Sequence, residues 1–126
     1  MTINEKLKYD RIIGEFMGGK VIKIETHESL HDPIEIWKTP KGIPQYDDSA
    51  SIGYFRYYSD WNRLMTVIEE IESLNYTFVI GKNTATISRD LEVILYTDSD
   101  NKLDACLQVV VDFIKYFEEL KVEPYI

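Results

Sequence analysis

Residues 59–96 read SDWNRLMTVIEEIESLNYTFVIGKNTATISRDLEVILY, and within them a helical hydrophobic period gives way to a strand-like one. In the first half Trp61, Leu64, Met65, Ile68, Ile71 and Leu74 recur every three or four residues, while Arg63, Glu69, Glu70 and Glu72 fall on other faces. That spacing predicts an amphipathic helix. Ser59 or Asp60 suits its N-cap, and Asn75 suits the position just past its end. The second half carries Tyr76–Ile80, the turn residues Gly81-Lys82-Asn83, then Thr84–Ser88, and after Arg89-Asp90 the run Leu91–Tyr96. β-Branched and aromatic residues bounded by a glycine turn predict strands. The connections are too short for parallel crossovers, so the three strands form an antiparallel meander.

Working outward, the last helix is expected from about Asp100 or Asn101. Its broad apolar face is Leu103, Cys106, Leu107, Val110, Val111, Ile114 and Phe117, with Asp104, Asp112, Lys115, Glu118 and Glu119 elsewhere; the tail from Val122, with Pro124, reads as irregular. Toward the N-terminus, Thr2 and Glu5 have capping-box spacing and open a helix that runs to about Met17, where Gly18-Gly19 ends it. Val21–Glu25 and Ile34–Lys38 alternate apolar and polar and read as a hairpin. Residues 39–53 hold two prolines and two glycines without periodicity, a long internal loop. Tyr54–Tyr58 reads as a short strand after it. The expectation is one domain over residues 1–126, of α+β class: an antiparallel β-meander with helices packed on it, as a two-layer or α-β-α sandwich.

Bulk composition narrows the function classes. With 44% hydrophobic and 29% charged residues among 126, the chain is an ordinary globular domain. Cys106 is the only cysteine, so no intrachain disulfide forms. The N-terminal MTINEKLKYD has no apolar run and no stretch approaches a membrane span, so the expected setting is the cytoplasm. The net charge is −8, and all of the acidic excess lies in residues 47–126. No stripe of Lys and Arg suits a phosphate backbone, which argues against direct nucleic-acid binding and against a membrane partner. The acidic surplus reads first as a solvated face that aids solubility, and alternatively as an imitation of nucleic acid that binds a basic protein.

One segment matches a catalytic pattern. His27-Glu28-Ser29-Leu30-His31 is H-E-x-x-H, in which histidines one helical turn apart grip zinc and the glutamate activates its water. The surroundings oppose that reading. Pro33 follows two positions later, Asp32 is thereby pushed from helical geometry, and strand-like segments flank the motif. No third histidine exists, so Asp47, Asp48, Glu69 or Glu70 would have to complete the site. A solvated hairpin turn is the favoured reading. The alternative metal candidates are His27, His31 and Asp32 around a turn, with zinc as the ion. Asp98-Ser99-Asp100-Asn101 begins like a calcium loop, but Lys102 and Leu103 break the pattern.

Tyr54, Phe55, Tyr57, Tyr58 and Trp61 cluster beside Arg56 and Arg63. Such aromatics and arginines line protein interfaces or stack on bases; equally, alternate members can face the core while Trp61 anchors its helix. The candidate interface residues are Tyr54, Arg56, Tyr58 and Arg63, next to the 39–53 loop. Cys106, among Leu107 and Val110, reads as a buried structural thiol.

The run Ser59–Leu74, the segments Asn101–Ala105 and Val110–Ile114, and the stretch Gly14-Glu15-Phe16-Met17-Gly18-Gly19 resemble small proteins of phages and gut-type bacteria. The arrangement is similar to the phage helix–sheet–helix domain called the ABA sandwich. The resemblance covers residues 10–20 and 54–117 and carries no catalytic motif; His27–His31 lies outside it. It implies a phage or mobile-element setting and a fold, not an activity. The leading expectation is therefore a non-enzymatic accessory protein with no cofactor, acting on another protein. The alternative is a zinc-dependent hydrolase or peptidase built on His27, Glu28 and His31.

Overall fold

A computed structural model describes residues 1–26, 28 and 32–122. Helix α1 spans Ile3–Phe16, followed by strands β1, Lys20–Glu25, and β2, Ile34–Lys38. A single 3-10 turn, Ala50–Ile52, interrupts the long loop before α2, Trp61–Ser73. Strands β3, Thr77–Ile80, β4, Thr84–Arg89, and β5, Glu92–Asp98, precede α3, Lys102–Val122. The class is α+β, with helices packed on an antiparallel sheet. Strands β3, β4 and β5 form that sheet in sequential order, and β1 and β2 form a separate hairpin.

Local chemistry sets the ends of these elements. Thr2 and Glu5 close the capping box: the Glu5 amide donates to Thr2 Oγ1 (3.2 Å) and the Thr2 amide to Glu5 Oε1 (3.3 Å). At the other end of α1, Gly18 takes φ +92, and Gly19 N–H donates to Gly14 O at 2.9 Å, which satisfies carbonyls the helix would leave open. Asp60 is the N-cap of α2, accepting from Asn62 and Arg63, and Asn75 ends that helix in the left-handed region. The β4–β5 connection is two residues long, Asp90 (φ +51) and Leu91 (φ +66). A turn with both central residues left-handed matches the strand twist, but it suits glycine and strains leucine.

The core lies around α3. Its first turns are buried nearly all round, through Ala105, Cys106, Leu107, Val109, Val110, Val111, Phe113 and Ile114. The expected single apolar face was too narrow because α3 has neighbours on two sides: β4 and β5 on one, α1 and α2 on the other. Even Asp104 is buried. Ala85 and Ile87 of β4 supply the sheet side of that contact. Phe113 meets Tyr76 edge-on at 4.9 Å between centroids, and Phe16 packs edge-on to both Phe113 and Phe117.

Two expectations are corrected. Residues 54–58 are not a strand; they form a looped turn with Arg56 at φ +61. In α2 the buried stripe is Leu64, Val67, Ile68 and Ile71, while Trp61 and Met65 remain exposed, so Trp61 does not anchor the helix in the core.

Candidate functional site

The looped turn after residue 53 is held by a side chain from α1. Asp10 falls on the same helical stripe as the buried Ile13, Gly14 and Met17 and is itself only 1% exposed. Its carboxylate accepts the backbone N–H of Phe55 (2.7 Å), Arg56 (3.2 Å) and Tyr57 (2.9 Å). Burial pushes this carboxyl above its usual pKa, and the three amides, together with the Arg63 charge, pull in the opposite direction. The acceptors that a neighbouring strand would supply thus come from one side chain.

Because the amides converge on Asp10, the side chains of this segment alternate. Phe55 and Tyr57 are buried, whereas Tyr54 and Arg56 face outward. Phe55 packs edge-on to Trp37 at 5.2 Å and covers Gly14, where any β-carbon would overlap its ring. That contact accounts for a glycine within α1, where alanine is otherwise preferred by about 1 kcal/mol. The Tyr57 hydroxyl is buried with no hydrogen-bond partner among the described residues, and burial pushes its pKa up.

A second tie comes from α2. Arg63, its side chain 13% exposed, donates through Nη1 to Phe55 O (2.9 Å) and through Nη2 to Asp47 (2.6 Å). Arg56 reaches the same Asp47 at 3.0 Å, and Asp47 Oδ1 accepts the Ser49 amide. For Asp47, burial raises the pKa, but the two guanidinium groups outweigh it and hold the carboxyl below its ordinary range. Residues 47–57 are therefore pinned to both helices.

This pinned loop forms one wall of an open cleft of about 240 Å³, lined by Leu7 and Arg11 of α1, Glu35 and Trp37 of β2, and Ile52, Gly53 and Tyr54. Arg11 lies over the Trp37 ring at 5.3 Å and donates to Glu35 at 2.6 Å. That charged pair supplies the polar part of the lining. Leu7, Ile52 and Tyr54, the last 48% exposed, supply apolar surface. The arrangement is suited to receiving one large apolar side chain beside a fixed ion pair.

The candidate interface residues fall into different roles. Tyr54 lines the cleft; Arg56 is exposed and paired with Asp47; Tyr58 is half-buried against the core; Arg63 is committed to holding the loop. Asp10, Arg11, Glu35 and Trp37 were not singled out from sequence. Asp10 had a signal, a carboxylate on a buried stripe; the Arg11–Glu35 pair, 24 residues apart, had none.

Of the metal candidates, His27 and His31 lie outside the described residues, and Asp32 is exposed. Among the described residues no three His, Cys, Asp or Glu side chains group to hold a metal. Asp47 and Glu70, considered as further ligands, are engaged by arginines and by Lys41 at 2.8 Å. Asn101 is a helix cap, accepting the Asp104 amide at 2.8 Å. Burial pushes the Cys106 thiol up to about 11, which leaves it protonated at neutral pH. Among the described residues no helix is long and apolar enough to cross a membrane. Comparison with protein-family models, with curated proteins and with solved structures finds no match.

Proposed function

We propose that this chain is a non-enzymatic accessory domain of the cytoplasm that binds another protein through the Tyr54 cleft. The observation that carries this reading is the cleft itself: an open cleft of mixed polarity lined by exposed Tyr54 and Ile52 and by the Arg11–Glu35 pair, on a loop pinned to two helices. Preorganised walls reduce the ordering that binding requires, and one buried anchor can dominate an interface. The fitting partner presents a large aliphatic or aromatic side chain flanked by a polar group that reaches Arg11 or Glu35. The phage-like origin rests on the sequence resemblance of residues 10–20 and 54–117 alone.

A photo-crosslinking amino acid placed at position 52 tests this in cells, with position 118 on α3 as the control. The expected result is one protein joined from position 52 and not from 118, and lost when Leu7→Asp is added. Crosslinks that are equal from both positions, or unchanged by Leu7→Asp, would overturn the assignment of the cleft.

A further inference from the structure

We propose that β5 is a docking edge for an extended segment of another protein with Lys or Arg at its two ends, added to the meander as a fourth strand. Strand β5 has β4 on one side and no strand on the other among the described residues. Ser99 N–H donates to Asn83 O at 3.0 Å, one step along the ladder from the Asp98–Thr84 pair. Hydrogen-bonded and open pairs alternate between antiparallel strands. Thr97 and Leu95 therefore bond to β4, while Tyr96 and Asp98 turn their N–H and C=O groups to the open side. Side chains along that edge are exposed as well, Val93 at 65% and Tyr96 at 60%.

This edge lacks the devices that blunt an edge strand. Lysine or proline within such a strand discourages pairing. Strand β1 carries Lys20 and Lys23, whereas β5 contains neither residue type. The register slip in the β4–β5 ladder lies near the Glu92 end and leaves Leu95–Asp98 in unbroken register with Thr84–Ile87. Strand β3, at the opposite edge of the sheet, is only four residues long and carries no charge that would select a partner.

The charges around β5 define the occupant. Residues 90–100 hold Asp90, Glu92, Asp98 and Asp100 and no Lys or Arg. All four are exposed, and none forms an ion pair or a side-chain hydrogen bond among the described residues. Arg89, opposite Glu92 in the ladder, is turned instead over the Tyr76 ring at 5.0 Å and donates to its hydroxyl. A second copy pairing along the whole strand would set Glu92 against Asp98 and Asp90 against Asp100, like charge on like, so this edge rejects its own kind. A strand with a cation at each end meets unpaired carboxylates at both ends, whichever way it runs. Apolar residues between those cations pack beside Val93 and Tyr96. The inference is independent of the Tyr54 cleft.

The test is a titration of the full chain at low salt with the capped peptide RTVTVTR, read by NMR shifts and by amide exchange at Tyr96 and Asp98. An edge of seven residues buries far less than the ~1,200 Å² of the smallest standard interfaces, so binding is about millimolar. Exchange at both amides should slow in step with the peptide, and the counterpart ETVTVTE should bind roughly tenfold more weakly. An RTVTVTR peptide N-methylated at alternate residues keeps its charge, loses its main-chain donors and should leave the two amides unprotected. The double variant Glu92→Lys with Asp98→Lys, both on exposed positions, should reverse the preference between the two end charges. No protection up to ~10 mM peptide would overturn the inference. So would equal binding of both end charges, equal binding of the N-methylated peptide, or protection of Tyr96 and Asp98 that rises with protein concentration alone, the mark of a second copy on this edge.

Discussion

Replacing Asp10 is the sharpest test of how the cleft wall is held. In Asp10→Ala three amides lose their acceptor. Phe55 and Tyr57 are fully buried, so water cannot replace the carboxylate there, whereas Arg56 is exposed and its amide can be hydrated. An unsatisfied buried amide costs about 1–3 kcal/mol, so two of them give a loss of about 3–4 kcal/mol once relief of the buried carboxylate is allowed for. For a chain of 126 residues that is a fall in Tm of roughly 10–15 °C. Asp10→Asn keeps one accepting oxygen and should lose about half as much. Urea midpoints measure the total, and amide exchange at Phe55 and Tyr57 locates it. The pH dependence has a definite sign. Burial raises the Asp10 carboxyl, so the folded chain holds this proton more tightly than the unfolded chain does. The associated stability is full below an unfolded pKa of ~3.9 and is lost as the pH climbs through the folded value. In Asp10→Asn that decline should vanish. An Asp10→Ala stability within ~0.5 kcal/mol of wild type, or Phe55 and Tyr57 amides still protected in the variant, would show that Asp10 does not hold this segment.

Three other substitutions probe neighbouring features. Tyr57→Phe removes a buried hydroxyl without a partner among the described residues and should raise stability by about 1 kcal/mol in urea unfolding. Leu91→Gly relieves a left-handed leucine in the β4–β5 turn and should add about 1 kcal/mol, read as a Tm increase of a few degrees. Asp47 titrates in the opposite sense to Asp10: its lowered carboxyl contributes stability above an unfolded pKa of ~3.9, lost as the pH falls through the folded value. Arg63→Gln should therefore lower stability at neutral pH and flatten the acid limb of the urea-midpoint profile.

The contrast between well-read and misread segments has a physical origin. Helix α2 and the β3–β5 meander were legible because period and connection length act locally: Asp60 caps what it precedes, and a two-residue turn dictates antiparallel pairing. Segment 54–58 was misread for a specific reason. Its burial alternates as a strand's does, yet its amides bond to Asp10, 45 to 47 residues away. Alternation reports which side chains are buried and says nothing of what satisfies the backbone. Trp61 and Met65 share spacing with the buried stripe of α2, and only the placement of neighbouring elements leaves them outside. The cleft was half legible: Tyr54 was picked from its aromatic cluster, while Arg11 and Glu35 meet only through the tertiary fold.

The tie from Asp10 also has a kinetic meaning. Closing a loop of 45 residues costs about 3 kcal/mol of chain entropy, of the same order as the gain from seating the amides on the carboxylate. The tie is therefore not expected to nucleate the fold, since its entropy cost is offset only when α1 is in place beside α3. Segment 54–57, although Phe55 and Tyr57 are fully buried, depends on contacts distant in sequence. In native-state exchange the Phe55 and Tyr57 amides should open at a lower free energy than those of β4, so the Tyr54 wall behaves as a separate cooperative unit within an otherwise intact domain.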